Sequence, residues 1–131
     1  MKVFKFLKVA LVTGALAAMM VVPAFASKQN YSFDLLIEDG NAGHSSVNYK
    51  TDNEQRAYVY TTSGNIASSD RVLMQIVSPY DDTAYAGSKQ ITSNSGRYLF
   101  DYTTYVGKGG GSRIYAITYK YDVKMSGYWY S

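Results

Sequence analysis

From residue 27 onward the chain alternates apolar and polar positions with a period of two. In Tyr31-Ser32-Phe33-Asp34-Leu35-Leu36-Ile37-Glu38, the residues Tyr31, Phe33, Leu35 and Ile37 share one face, and Ser32, Asp34 and Glu38 take the other. Asp39-Gly40-Asn41-Ala42-Gly43 then supplies turn chemistry. Further strands are predicted over 46–51, over 56–62 (rich in Tyr, Val and Thr), and over 71–78. In 71–78, Val72, Met74 and Ile76 oppose Leu73, Gln75 and Val77, so both faces read as buried, as in a central strand. A short edge strand is expected over 88–92. Residues 97–106 and 113–124 read as one long hairpin, with Tyr115, Ile117, Tyr119, Tyr121 and Val123 on one face. A last strand carries Tyr128-Trp129-Tyr130. No stretch of this region shows a 3.6-residue period, and Pro79 is its only proline. Seven or eight short strands at such spacings predict an all-β fold, a single small antiparallel β-sandwich.

The first 26 residues obey another logic. Lys2, Lys5 and Lys8 precede an apolar run from Val9 to Val22, Pro23 breaks it, and Ala24-Phe25-Ala26 is a small-x-small cleavage site. This is the pattern of a secretory signal peptide over 1–26, cut between Ala26 and Ser27. The run spans about 14 residues, short of the ~20 a membrane-crossing helix needs. An exported domain over 27–131 is therefore expected, secreted or held at the envelope without stable membrane insertion.

Cleavage changes the charge balance. The whole chain has 13 Lys+Arg against 10 Asp+Glu, a net charge of +3, and three of those lysines leave with the leader. The remainder is neutral, with no basic surplus to displace counterions from phosphates, which excludes nucleic acid as a partner. The chain has no cysteine, which excludes disulfides, thiolate metal sites and cysteine nucleophiles. No cofactor signature is present. The export signal and the absence of cysteine together point to a Gram-positive source.

Tyrosine is the compositional outlier: all 14 lie beyond the leader. Most fall beside Ile, Val or Phe in the alternation, so their first role is structural, with the ring half-buried and the hydroxyl wet. Two groups depart from that pattern. Tyr80 and Tyr85 sit in a loop with Asp and Gly, and Tyr128, Trp129 and Tyr130 are consecutive, so at least one ring must face away from the core. These five are the candidate ligand contacts, suited to an envelope or extracellular polymer. His44 is the only histidine. Its neighbours Ser45 and Ser46 lie in a polar turn, and no nucleophile-elbow pattern accompanies it, so no catalytic role is assigned. Asp81-Asp82 is a weak calcium candidate lacking the Asp-x-Asp-x-Asp-Gly order. A hydrolase would have to pair Asp34, Glu38 or Asp39 with Asp81 or Asp82 across a cleft. Gly107-Lys108-Gly109-Gly110-Gly111-Ser112 has its lysine too early for a phosphate loop and reads as a flexible hairpin tip.

The stretch Tyr121-Asp122-Val123-Lys124-Met125-Ser126-Gly127-Tyr128-Trp129 resembles a family of short secreted Gram-positive proteins without an assigned activity. The order Tyr31-Ser32-Phe33, then Tyr49-Lys50-Thr51-Asp52-Asn53, is similar to that family as well. The resemblance implies a secreted single domain. A looser likeness joins the cysteine-free, tyrosine-rich chain with its aromatic C-terminus to lactococcin-type β-sandwich bacteriocins that target lipid II. It implies a bacteriocin-like antagonist or an accessory to one, as the alternative to a polymer-binding module.

Overall fold

The computed structural model describes residues 27–66 and 71–131. The leader reading over 1–26, with Ala24 and Ala26, lies outside the described residues. Nine strands form two antiparallel sheets packed face to face, a small β-sandwich with no α-helix among the described residues. They are β1 (Lys28–Leu35), β2 (Ala42–His44), β3 (Asn48–Tyr49), β4 (Arg56–Gly64), β5 (Val72–Val77), β6 (Lys89–Ile91), β7 (Gly96–Asp101), β8 (Gly111–Thr118) and β9 (Val123–Tyr130). One sheet runs β1-β9-β4-β7; the other runs β2-β8-β5-β6, with β3 also pairing with β8.

Alternation explains which residues face inward. Tyr31, Phe33 and Leu35 of β1, Ala57 and Val59 of β4, and Val123, Met125 and Trp129 of β9 turn to the core from the four-stranded sheet. Val72, Met74 and Ile76 of β5, with Ile114 and Ala116 of β8, meet them from the other. Burying this contiguous apolar set is the main favourable term in folding.

Three expectations change. Residues 97–106 and 113–124 are not one hairpin: β7 lies in the four-stranded sheet and β8 in the other, so the Gly107–Ser112 segment crosses between layers. In β8 it is Ile114, Ala116 and Thr118 that are fully buried, while Tyr115 and Ile117 face outward. Both faces of that strand carry apolar side chains, so alternation by itself does not choose which one faces inward. Ile37 leaves the face of β1, because residues Ile37–Asp39 form a 3-10 turn whose start is held by the Asp122 carboxylate accepting from Ile37 N–H at 2.9 Å.

Candidate functional site

The outer face of the four-stranded sheet carries a tyrosine ladder. Register sets Lys28, Tyr130, Tyr58 and Leu99 in one row across β1, β9, β4 and β7, and Asn30, Tyr128, Tyr60 and Arg97 in the next. Tyr60 and Tyr128 stack with ring centroids 4.6 Å apart and planes 15° apart. Tyr130 stands edge-on to both, at 6.3 and 6.1 Å. The Lys28 ammonium lies 4.4 Å from the centre of the Tyr128 ring. A stack at the strand spacing means the rings stand upright on the sheet. The ladder therefore offers ring edges and phenol tips outward, with Tyr130 partly exposed at one end. Burial pushes the Tyr130 phenol upward, and the neighbouring Tyr128 and Tyr60 add to it. Tyr58, more deeply buried, donates to the Glu54 carboxylate and is pushed up first by burial and then by that carboxylate.

The ladder is braced from beneath. The buried Tyr31 hydroxyl donates to the Tyr60 carbonyl at 3.0 Å and lies 3.0 Å from Thr61 Oγ1. Burial drives its pKa up to about 12. Gly127, opposite both Tyr31 and Thr61, is what lets these strands approach. A Cβ there would sit 1.8 Å from the Tyr60 carbonyl oxygen.

Two residues before Tyr128 on β9 the same face turns polar. An open depression of about 520 Å³ is lined by Ser32, Asp34, Ser63, Asn65, Lys124 and Ser126, with Phe33 and Met125 at its margin. A break in register between Thr61 and Ser63 brings Ser63 Oγ to 2.7 Å from Ser126 Oγ. The aromatic and hydroxyl-lined halves are contiguous along β9, because Ser126, Tyr128 and Tyr130 are successive outward positions.

The sequence candidates divide. Tyr128 and Tyr130 lie in the ladder. Trp129 is corrected: it is 0% exposed, and its indole N–H donates to Gln29 Oε1 at 3.2 Å on the inner side of the sheet. Alternation permits only one side of β9 to face water, and that side holds the two tyrosines. Tyr85 packs against the core beside Tyr102, with centroids 6.2 Å apart. Tyr80 is 87% exposed on the β5–β6 loop. Tyr60 and Lys28 were missed, although Tyr58 and Tyr60 alternate with Ala57 and Val59 in a pattern apolar on both faces.

Asp82 takes a role other than the calcium reading. Its Oδ1 accepts from Arg113 Nη2 at 2.8 Å and its Oδ2 lies 2.9 Å from His44 Nε2. Partial burial raises its pKa, but the bonds from Arg113 and His44 outweigh that and hold the carboxyl below the usual range. With a guanidinium on one oxygen and an imidazole on the other, this carboxylate is not free for a divalent cation. Asp81 accepts from Thr83 N–H at 3.1 Å. Among the described residues no three His, Asp or Glu side chains gather to hold a metal. The hydroxyl of Ser45 is committed to Ser46 and Ile114, so it does not join the His44–Asp82 pair. Asp34 lines the depression on one sheet and Asp82 sits beside the other, so these carboxylates are not brought together.

No family model and no curated protein sequence matches the chain. Among solved structures it is similar to PirA, at a TM-score of 0.46 and 11% identity over 85% of this chain and 97% of that one. It is similar to the SPBc2 prophage-derived protein YomS at 0.44 and 12%, over 85% and 99%. A third likeness is to the C-terminal domain of EclA, a sugar-binding protein, at 0.41 and 9%, over 82% and 81%. No inference about what this chain does rests on likenesses this distant.

Proposed function

We propose that this chain is a non-enzymatic extracellular domain that binds an envelope or extracellular polymer across the outer face of its four-stranded sheet. The observation that carries the reading is the continuity of the Tyr60–Tyr128–Tyr130 ladder with the hydroxyl-lined depression along β9. An extended ligand lying along β9 would meet phenol tips and ring edges at one end and serine, asparagine and lysine groups at the other. Stacking fixes the rings before binding, so little side-chain entropy remains to be lost. A polymer rather than a small molecule suits the site, which is open and elongated rather than a closed pocket. The neutral balance of residues 27–131 disfavours a polyanion bound by charge alone.

The reading is tested by co-sedimentation of the purified protein with Gram-positive cell walls. Saturable binding that soluble wall fragments displace is expected. Protein that remains in the supernatant at every wall concentration overturns the reading.

A further inference from the structure

Two rows of side chains cross the polar depression. Register sets Ser32 opposite Ser126, and Ser126 Oγ lies 2.7 Å from Ser63 Oγ, so hydroxyls run across β1, β9 and β4. Two residues nearer the start of β9, Asp34 lies directly opposite Lys124. All of these residues line the same depression. Successive outward rows on a sheet are about 7 Å apart, so the charged row and the hydroxyl row lie within the span of a short ligand.

The two charges are open. Asp34 and Lys124 are both exposed, and neither the carboxylate nor the ammonium is in an ion pair among the described residues. Other carboxylates of the domain are committed: Asp82 to Arg113 and His44, Asp101 to Arg56, and Asp122 to the Ile37 N–H. Opposed charges on an exposed face attract each other only weakly, so a ligand bearing both signs displaces that attraction at small cost.

The frame around the charges is held. Lys124 N–H donates to Asn65 Oδ1 at 2.8 Å, and Asn65 N–H donates to the Lys124 carbonyl at 3.0 Å. Ile66 N–H donates to Asn94 Oδ1 at 2.6 Å, and the Asn94 amide donates to the Ile66 carbonyl at 3.2 Å. The segment 63–66 is thereby fixed as one wall, with β1 on the far side of β9. A Cβ on Gly64 would sit 2.9 Å from Asn94 Oδ1 and 3.2 Å from the Lys124 carbonyl oxygen, so a glycine lets this wall close on β9.

We infer that the depression takes a zwitterionic peptide segment, with an amine on Asp34, a carboxylate on Lys124 and main-chain amides on the serine row. The inference rests on the polymer-binding reading above and names the chemical class that its polar half recognises. A neutral glycan would use neither charge. A polyanion would meet the Asp34 carboxylate and a polycation the Lys124 ammonium, and like charges brought together are penalised. A ligand with both signs close together satisfies the pair, and a free peptide carboxylate near an amine-bearing side chain supplies them. Serine hydroxyls both donate and accept, which suits the amide groups between. The wall is fixed before binding, so little freedom is lost.

The test is NMR titration of the purified protein with three probes. They are the tripeptide L-Lys-D-Ala-D-Ala, the same tripeptide acetylated at both amines and amidated at its carboxyl, and chitotetraose. Saturable shifts with the charged tripeptide are expected in the amides of Ser32, Asp34, Ser63, Asn65, Lys124 and Ser126. The capped tripeptide should bind about 10-fold more weakly or worse. Asp34→Asn and Lys124→Gln should each weaken the charged tripeptide about 3-fold or more. Lys108→Gln, on the β7–β8 loop, and Tyr60→Ser with Tyr128→Ser should leave it unchanged. No shift in those amides, equal binding of the capped form, or undiminished binding by the Asp34 and Lys124 variants overturns the inference. Tighter binding of chitotetraose at the same amides overturns it too, by making the depression a glycan site. Wall co-sedimentation separates this inference from the reading it deepens. Walls bound while the tripeptide is not leave the polymer reading standing and end the inference; tripeptide bound while walls are not ends the polymer reading alone.

Discussion

Replacing Trp129 separates a core residue from a ligand contact. The side chain is fully buried and its indole N–H bonds to Gln29 Oε1, whose amide in turn donates to the Val47 carbonyl at 2.9 Å. Truncating a buried tryptophan to alanine costs about 3–5 kcal/mol through lost transfer energy and the cavity left behind. The orphaned Gln29 oxygen adds about 1 kcal/mol. A domain of this size holds about 5–15 kcal/mol in total, so a loss of about 5 removes much of it. With a urea dependence of about 1.5 kcal/mol per M, the unfolding midpoint of Trp129→Ala should fall by about 3 M. Trp129→Phe keeps a ring but loses the N–H, and should fall by about 1 M. Trp129 is the only tryptophan, so far-UV circular dichroism follows every variant equally well. A Trp129→Ala midpoint within about 0.3 M of the parent would refute the burial argument. Loss of wall binding at unchanged stability would refute it too, by placing the indole at the surface.

Two further predictions follow from the geometry. Gly127→Ala forces a Cβ against the Tyr60 carbonyl, so the β4–β9 pairing must shift. A loss above about 3 kcal/mol is expected, seen as a Tm drop of more than about 12 °C. Gly87→Ala, where a Cβ meets nothing within 4 Å, serves as the control and should stay within about 0.5 kcal/mol; equal effects at the two glycines would defeat the close-approach argument. Asp82 has a folded pKa below its unfolded value, so its stabilising contribution is present above about pH 4 and is lost as pH falls through the lower folded value. Asp82→Asn should therefore lower Tm at about pH 6, with the gap to the parent closing by about pH 2; parallel curves across that range would show that the pairing with Arg113 and His44 contributes nothing.

Much of the fold was legible because period-two alternation needs no partner. Tyr31, Phe33 and Leu35, or Val72, Met74 and Ile76, declare their face from their own segment. What was not legible depends on pairing between distant segments. Which members of Tyr128-Trp129-Tyr130 face inward follows from β9 lying between β1 and β4, with Trp129 opposite both Gln29 and Val59. The ladder partner Tyr60 is far from Tyr128 in the chain, so no local pattern joins them. In β8, apolar residues on both faces leave period-two reading without a preference, and the inward face is settled by pairing with β5, where Ile114 lies opposite Ile76 and Ala116 opposite Met74. The glycine run was read for flexibility, but its hydrogen bonds to Lys50, Asn53 and Gln55 come from a segment more than fifty residues earlier. Loop composition placed Tyr80 and Tyr85 together, but only Tyr80 is exposed, while Tyr85 reaches back to the core beside Tyr102.

The most direct measurement is the affinity of Tyr60→Ser with Tyr128→Ser for Gram-positive cell walls, compared with the parent protein. Both rings lie on the outer face, so the variant should keep the fold, checked by circular dichroism. Removing the stacked pair should weaken binding 10-fold or more, consistent with a loss of about 1.4 kcal/mol or greater. A folded variant that binds walls as tightly as the parent would contradict the account.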